Sequence, residues 1–157
     1  MIWNLRAFGT PVPKGSWIPV PCGRPIVTRE GKYYRLRDVR FKPEESDRLA
    51  QWLHAVELAA LEAGRPKVPL EGPFEVGVTF YLRRPKTTKY PVAPLGPPDL
   101  DKLQRAVGDF LTGVYYRDDS QIVAFNPAPR KVYATEAEPE GATIVIASVD
   151  VQKKFDI

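Results

Sequence analysis

The stretch PPDLDKLQRAVGDFLTGVYYRDD, residues 97–119, carries five aspartates, Asp99, Asp101, Asp109, Asp118 and Asp119, in a chain whose formal net charge is +4. Ionised carboxylates only accept hydrogen bonds, and several brought to one point repel unless a cation sits between them. The chain has one cysteine, Cys22, and one histidine, His54, which excludes an internal disulfide and any zinc site built from several Cys and His ligands. A metal must therefore be held by oxygen, and an all-oxygen cluster of Asp99, Asp101 and one of Asp118 and Asp119 suits Mg²⁺ or Mn²⁺. A magnesium ion or pair held this way activates water and stabilises the charge of a phosphodiester under attack, which is nuclease chemistry. The competing reading needs no metal: Asp99 is an ordinary N-cap, Asp101 pairs with Arg105 four residues on, and Asp118 and Asp119 are turn residues.

Convergence of these acids makes demands on the elements that carry them. Positions two apart in a helix point about 200° away from each other, so Asp99 and Asp101 cannot both lie inside one and face the same point. Pro97 and Pro98 push the chain before them toward extended backbone, which places Asp99 at or near an N-cap and Asp101 in the first turn. Leu100, Leu103, Ala106, Val107, Phe110 and Leu111 then recur at helical spacing, and Gly113 stops the run. Asp118 and Asp119 follow a short connection and precede the strand-like segment QIVAFN. If that strand lies beside the helix N-terminus, one of the two joins Asp99 and Asp101, since neighbouring strand residues face opposite sides.

The remaining pattern describes the scaffold. IWNLRAF reads as a first strand; Phe74, Val76, Val78, Phe80 and Leu82 alternate strictly and predict a strand with one buried face; QIVAFN, RKVYA and ATIVIASV predict three more, the last two separated by the acidic turn TEAEPEG. Pro43 fits a first helical position, and Leu49, Trp52, Leu53, Val56, Ala59, Ala60 and Ala63 follow at threes and fours up to Gly64. His54 falls in this helix and is expected to be structural or solvent-facing. The chain holds 17 prolines, five of them between Pro11 and Pro25 and five between Pro85 and Pro98. Both stretches predict long loops, the first with a short hairpin at REGKYYRL turning on Glu30 and Gly31.

At 157 residues, with 43% apolar and 27% charged residues, the chain fits one soluble α+β domain, residues 1–157: a mixed β-sheet with two main helices packed on it. No run approaches a membrane span and the N-terminus lacks the layout of a signal peptide, so a cytoplasmic protein is expected. Charge is segregated. Residues 1–42 hold nine Lys or Arg against Glu30 and Asp38, a local +7, and the remainder carries −3. Basic residues mixed with Trp17, Tyr33, Tyr34 and Phe41 suit a phosphate backbone, as do Arg83 and Arg84 at the head of the second proline-rich loop.

The run PPDLDKLQRAVGDFLTGVYYRDDSQIVAF, followed by RKVYA, resembles the RusA-type Holliday-junction resolvases, a family common in phages, whose motif reads approximately D-x-D-N-x-x-K, an apolar helix, then D-D-x-x-V. The opening GTPVPKGS is similar to that family's opening. The resemblance implies a homodimer that cuts four-way and other branched DNA by paired Mg²⁺-dependent nicks, in recombination and repair or phage DNA processing. It makes Asp99, Asp101 and Asp119 the catalytic metal ligands, with Asp118 an adjacent acid, and Lys14 and Lys131 contacts to DNA. Two residues depart from the D-x-D-N-x-x-K part of the motif: Lys102 stands where the family has Asn, and Arg105 where it has Lys. Lysine beside the metal site lowers metal affinity or contacts the scissile phosphate; arginine keeps the charge but cannot readily donate a proton, its pKa lying above about 12. Both belong with Lys14, Lys131, Arg83 and Arg84 among the expected DNA-binding residues. The alternative is a protein that grips branched DNA but has lost cleavage through these two changes. A DxD-type nucleotide-sugar transferase is disfavoured by the short chain.

Overall fold

A computed structural model describes residues 1–15, 17–33, 35, 39–43 and 47–150, with backbone alone for 17–20 and 39–43. Its centre is the alternating segment, which forms β6 (Phe74–Leu82). The C-terminal strand β9 (Gly141–Ser148) pairs antiparallel with β6 from Phe74↔Ser148 to Tyr81↔Gly141, and with β1 (Ile2–Phe8) on its other side from Ile2↔Ala147 to Phe8↔Gly141. Two short strands share the far edge of β6, both parallel to it: β7 (Ile122–Ala124) lies at Phe74 and Glu75, and β8 (Arg130–Tyr133) lies at Thr79 to Leu82. The sheet is therefore mixed, as expected.

Between β7 and β8 the chain crosses close over β6. A Cβ on Gly77 would meet Pro127 Cδ at 2.2 Å and Asn126 O at 2.4 Å, so only glycine leaves room. The Asn126 N–H donates to Val76 O at 3.1 Å, and its side chain donates to Glu75 at 3.0 Å.

Both main helices form where their apolar periodicity places them. α1 (Asp47–Glu62) buries Trp52, Val56, Ala59 and Ala60, and Gly64, at φ 71°, ends it. α2 (Leu100–Leu111) buries Leu103, Ala106, Val107 and Leu111. They join Leu5 of β1, Phe74 to Phe80 of β6 and Ile144 and Ile146 of β9 in one core. Each fully buried leucine or valine there contributes about 1.5–3 kcal/mol of transfer free energy. Tyr115 and Tyr116, just after α2, are buried too, Tyr115 edge-on to Trp3 and Tyr116 tilted against Phe74. His54 is exposed and faces Glu57 one turn on, as expected of a surface histidine.

Two expectations need correction. Pro43 closes a strand instead of opening α1, which begins at Asp47. The first proline-rich stretch is also more regular than its composition suggests: β2 (Trp17–Pro21) pairs antiparallel with β5 (Val39–Pro43), and β3 (Ile26–Thr28) with β4 (Gly31–Tyr33). The inner pair is the expected hairpin, turning through Arg29 and Glu30 to Gly31 at φ 141°. This hairpin and the segment that leads into it, from Pro21 to Tyr33, are exposed throughout, Cys22 among them. Tyr34 lies outside the described residues, and the side chains of Trp17 and Phe41 outside those described.

Candidate active site

The first expected acid sits where two prolines deliver it. Asp99 is the N-cap of α2, with extended backbone at φ −69° and ψ 134°, and its carbonyl accepts the first helical hydrogen bond from Leu103 N at 3.0 Å. Its side chain makes no capping bond, so the carboxylate is not consumed by the helix end. Instead it meets the Lys102 ammonium at 3.3 Å. Asp101 lies in the first turn, exposed, beside the positive end of the helix. Arg105, one turn further, is also exposed, and among the described residues no ion pair joins it to Asp101.

Behind this turn the sheet supplies donors. Lys131 of β8 donates from Nζ to Gly96 O at 2.6 Å and to Pro98 O at 3.0 Å, while Tyr133 donates to Tyr90 O at 2.9 Å, so β8 ties down both the middle and the end of the second proline-rich loop. Arg84 lies over the Tyr133 ring, 5.9 Å from its centre. On the other side the N-terminal segment straps along α2: Lys14 N donates to Lys102 O at 3.1 Å and its ammonium pairs with Asp109. A groove of about 400 Å³ opens beside the two prolines that precede Asp99, lined by Val12, Pro13, Arg48, Arg83, Pro97 and Pro98 among others.

Asp118 and Asp119 occupy a different end of the molecule. Asp118 caps a single 3₁₀ turn, Asp119–Gln121, accepting from Ser120 N at 2.9 Å. The Ser120 hydroxyl and then its N–H hold the Asp118 carboxyl below its usual range. Gln121 completes the box: its Oε1 accepts from Arg117 N and Asp118 N, and its Nε2 donates to Leu70 O and Gly72 O. Sequence reading passed over Gln121, although D-x-x-Q before a strand is a capping-box signature. Asp119 is exposed and free of such bonds among the described residues. Its charge is felt at the buried Tyr116 hydroxyl, pushed well above its usual value by burial first and by Asp119 and Asp109 in lesser degree.

The strand after Asp119 pairs with the Phe74 end of β6, whereas Lys131, opposite Phe80, reaches the start of α2. The condition for three converging carboxylates, β7 beside the helix N-terminus, is thus not met within one chain. Among the described residues no group of three or more Asp, Glu, His or Cys side chains is close enough together to hold a metal ion. The chemistry of Asp99 and Asp101 still fits a magnesium-type ion: two exposed carboxylates, one spared from capping, at a helix N-terminus. Mg²⁺ commonly takes one or two protein carboxylates and completes its shell with water and substrate phosphate.

No curated protein matches the chain closely enough to count as a relative. The family model for endodeoxyribonuclease RusA matches residues 17–146, which span β2 to β5, both helices and the five aspartates around α2. With the sheet, the two helices and the aspartate-capped α2 in place, the chain belongs to the RusA endodeoxyribonuclease family, whose members resolve Holliday junctions and generally depend on a divalent metal.

Proposed function

We propose that the protein is a structure-selective endonuclease that cuts four-way and other branched DNA by paired nicks, acting as a homodimer in the cytoplasm. The observation that carries this reading is the family match together with an acid pair displayed at the N-terminus of α2, Asp99 uncommitted to the cap. Asp99 and Asp101 hold Mg²⁺, or Mn²⁺ in its place; Asp119, which lies at the Phe74 end of β6 and does not reach them within one chain, is the third catalytic acid, brought to such a pair by the proposed dimer, and Asp118 stays with the turn it caps. When bound, the ion supplies charge stabilisation to the phosphodiester and makes the attacking water more acidic. Arg105 stays protonated throughout and acts by holding phosphate charge one turn beyond Asp101. Lys102, Arg83 and Arg84 add cationic charge around that end of α2, and the exposed hairpin contributes Arg24, Arg29 and Lys32 to the hold on DNA. A dimer with two such sites matches the approximate two-fold symmetry of a junction, each site addressing one strand.

The test is cleavage of a labelled four-way junction beside linear duplex, in Mg²⁺, by the wild type and by Asp101→Asn and Asp119→Asn. Junction-selective nicking lost in both variants is expected; no cleavage by the wild type, or equal cleavage by all three, refutes the reading. A second reading, junction binding without cleavage, is favoured by the Lys102 ammonium on Asp99. A gel shift with no nicking in either Mg²⁺ or Mn²⁺ selects it.

A further inference from the structure

We infer that Lys131 is a positioning residue for the acid pair: it holds the chain leading into Asp99, and is not spent on DNA. The inference rests on the proposed role of Asp99 and Asp101 as metal ligands. The segment it grips cannot hold itself. Pro97 and Pro98 have no N–H, so they donate to no turn, and the carbonyls of Gly96 and Pro98 need donors from elsewhere. Lys131 provides both, at 2.6 and 3.0 Å.

The ladder explains why this side chain is available. Lys131 lies opposite Phe80, whose ring is buried in the core, and so shares the helix-bearing side of the sheet. Its neighbour Arg130 turns to the other face and donates to Thr79 at 3.1 Å. The carbonyl of Pro98 lies in the same peptide plane as the N–H of Asp99. Fixing that oxygen fixes the plane from which the N-cap backbone departs, and with it the direction in which the Asp99 side chain leaves the helix. The cap needs this support because Asp99 gives it none. Two of the three ammonium donors are used in this way, which leaves one for any other partner.

Wild type, Lys131→Met, which keeps the stem, and Lys131→Arg, which keeps donors, separate the possibilities. Mn²⁺ binding to the protein alone is followed by the EPR signal of the free ion, and metal-free junction binding by anisotropy across a salt series, with thermal melting alongside. Loss of an outer-shell support commonly costs 10–100-fold in metal affinity, so Lys131→Met is expected to weaken Mn²⁺ binding by about tenfold or more, with Lys131→Arg recovering most of it. The slope of log affinity against log salt is expected to stay unchanged. A slope shallower by about one with Mn²⁺ affinity intact would make Lys131 a phosphate contact and overturn the inference. No change in either quantity overturns it as well, as does a melting loss of equal size in both variants with no recovery by arginine. If Asp99→Asn and Asp101→Asn bind Mn²⁺ as tightly as the wild type, the proposed metal site fails and this inference falls with it.

Discussion

At the scale of single residues, the most informative contact is the Lys102 ammonium 3.3 Å from Asp99. A cation approaching that carboxylate must displace it, so Lys102→Asn, which restores the residue of the family motif, is expected to tighten Mn²⁺ or Mg²⁺ binding severalfold; calorimetric titration of the metal checks this, and weaker binding would show that Lys102 assists the site. The buried tyrosines make a second prediction. Among the described residues the Tyr115 hydroxyl has no hydrogen-bond partner, and burial pushes its pKa up to about 12. Because the folded value is raised, the stability that this group supplies is intact below its ordinary value near 10 and is lost as pH rises through about 12. Tyr115→Phe is therefore expected to change stability at neutral pH by no more than about 1 kcal/mol and to unfold at higher alkaline pH than the wild type, as read by circular dichroism across a pH series. Identical alkaline midpoints would contradict it.

At the scale of elements, the strongly periodic segments were legible: β1, β6, β9 and α2 fall where alternation or helical spacing put them, and Asp99 takes the N-cap position of α2 because two prolines force extended backbone ahead of it. The misses have a common cause in non-local pairing. Pro19, Pro21 and Pro43 conceal β2 and β5, whose residues pair in a ladder across the intervening hairpin. Pro43 also suits a helix start as well as a strand end, so the entry to α1 was misplaced. The partner of β7 was likewise unreadable, since both β7 and β8 are short parallel strands and only the crossing over Gly77 assigns each to its own stretch of β6. That crossing predicts that Gly77→Ala costs about 1–3 kcal/mol, because the new methyl must displace backbone at Asn126 and Pro127. Urea denaturation checks it, and a loss below about 0.5 kcal/mol would mean that the crossing gives way easily.

At the scale of the whole molecule, opposite charges are divided between parts of the chain. The exposed hairpin carries Arg24, Arg29 and Lys32 against Glu30, while the acids cluster at the two ends of α2. If the hairpin grips phosphates, replacing these three cations by alanine weakens junction binding at moderate salt by more than tenfold and lowers the salt slope by roughly 2–3, at about 0.9 for each phosphate no longer neutralised. Anisotropy titrations from low to high salt measure both, and an unchanged slope would place the grip elsewhere. Residue types alone exposed this division of charge, but not how far apart the acids lie: Asp99 stands at the Leu82 end of the sheet and Asp119 at the Phe74 end, a separation set by the antiparallel run of α2 against β6.

The exposed hairpin has one more property. Cys22, the only thiol in the chain, stands at its base, between β2 and β3, in open solvent. The protein thus comes with a unique chemical handle on the part proposed to embrace DNA, and no cysteine has to be removed before it is used. A thiol-tethered oligonucleotide or a maleimide fluorophore attached there would turn the approach of hairpin to junction into a crosslink yield or an energy-transfer distance, recorded on the unaltered sequence.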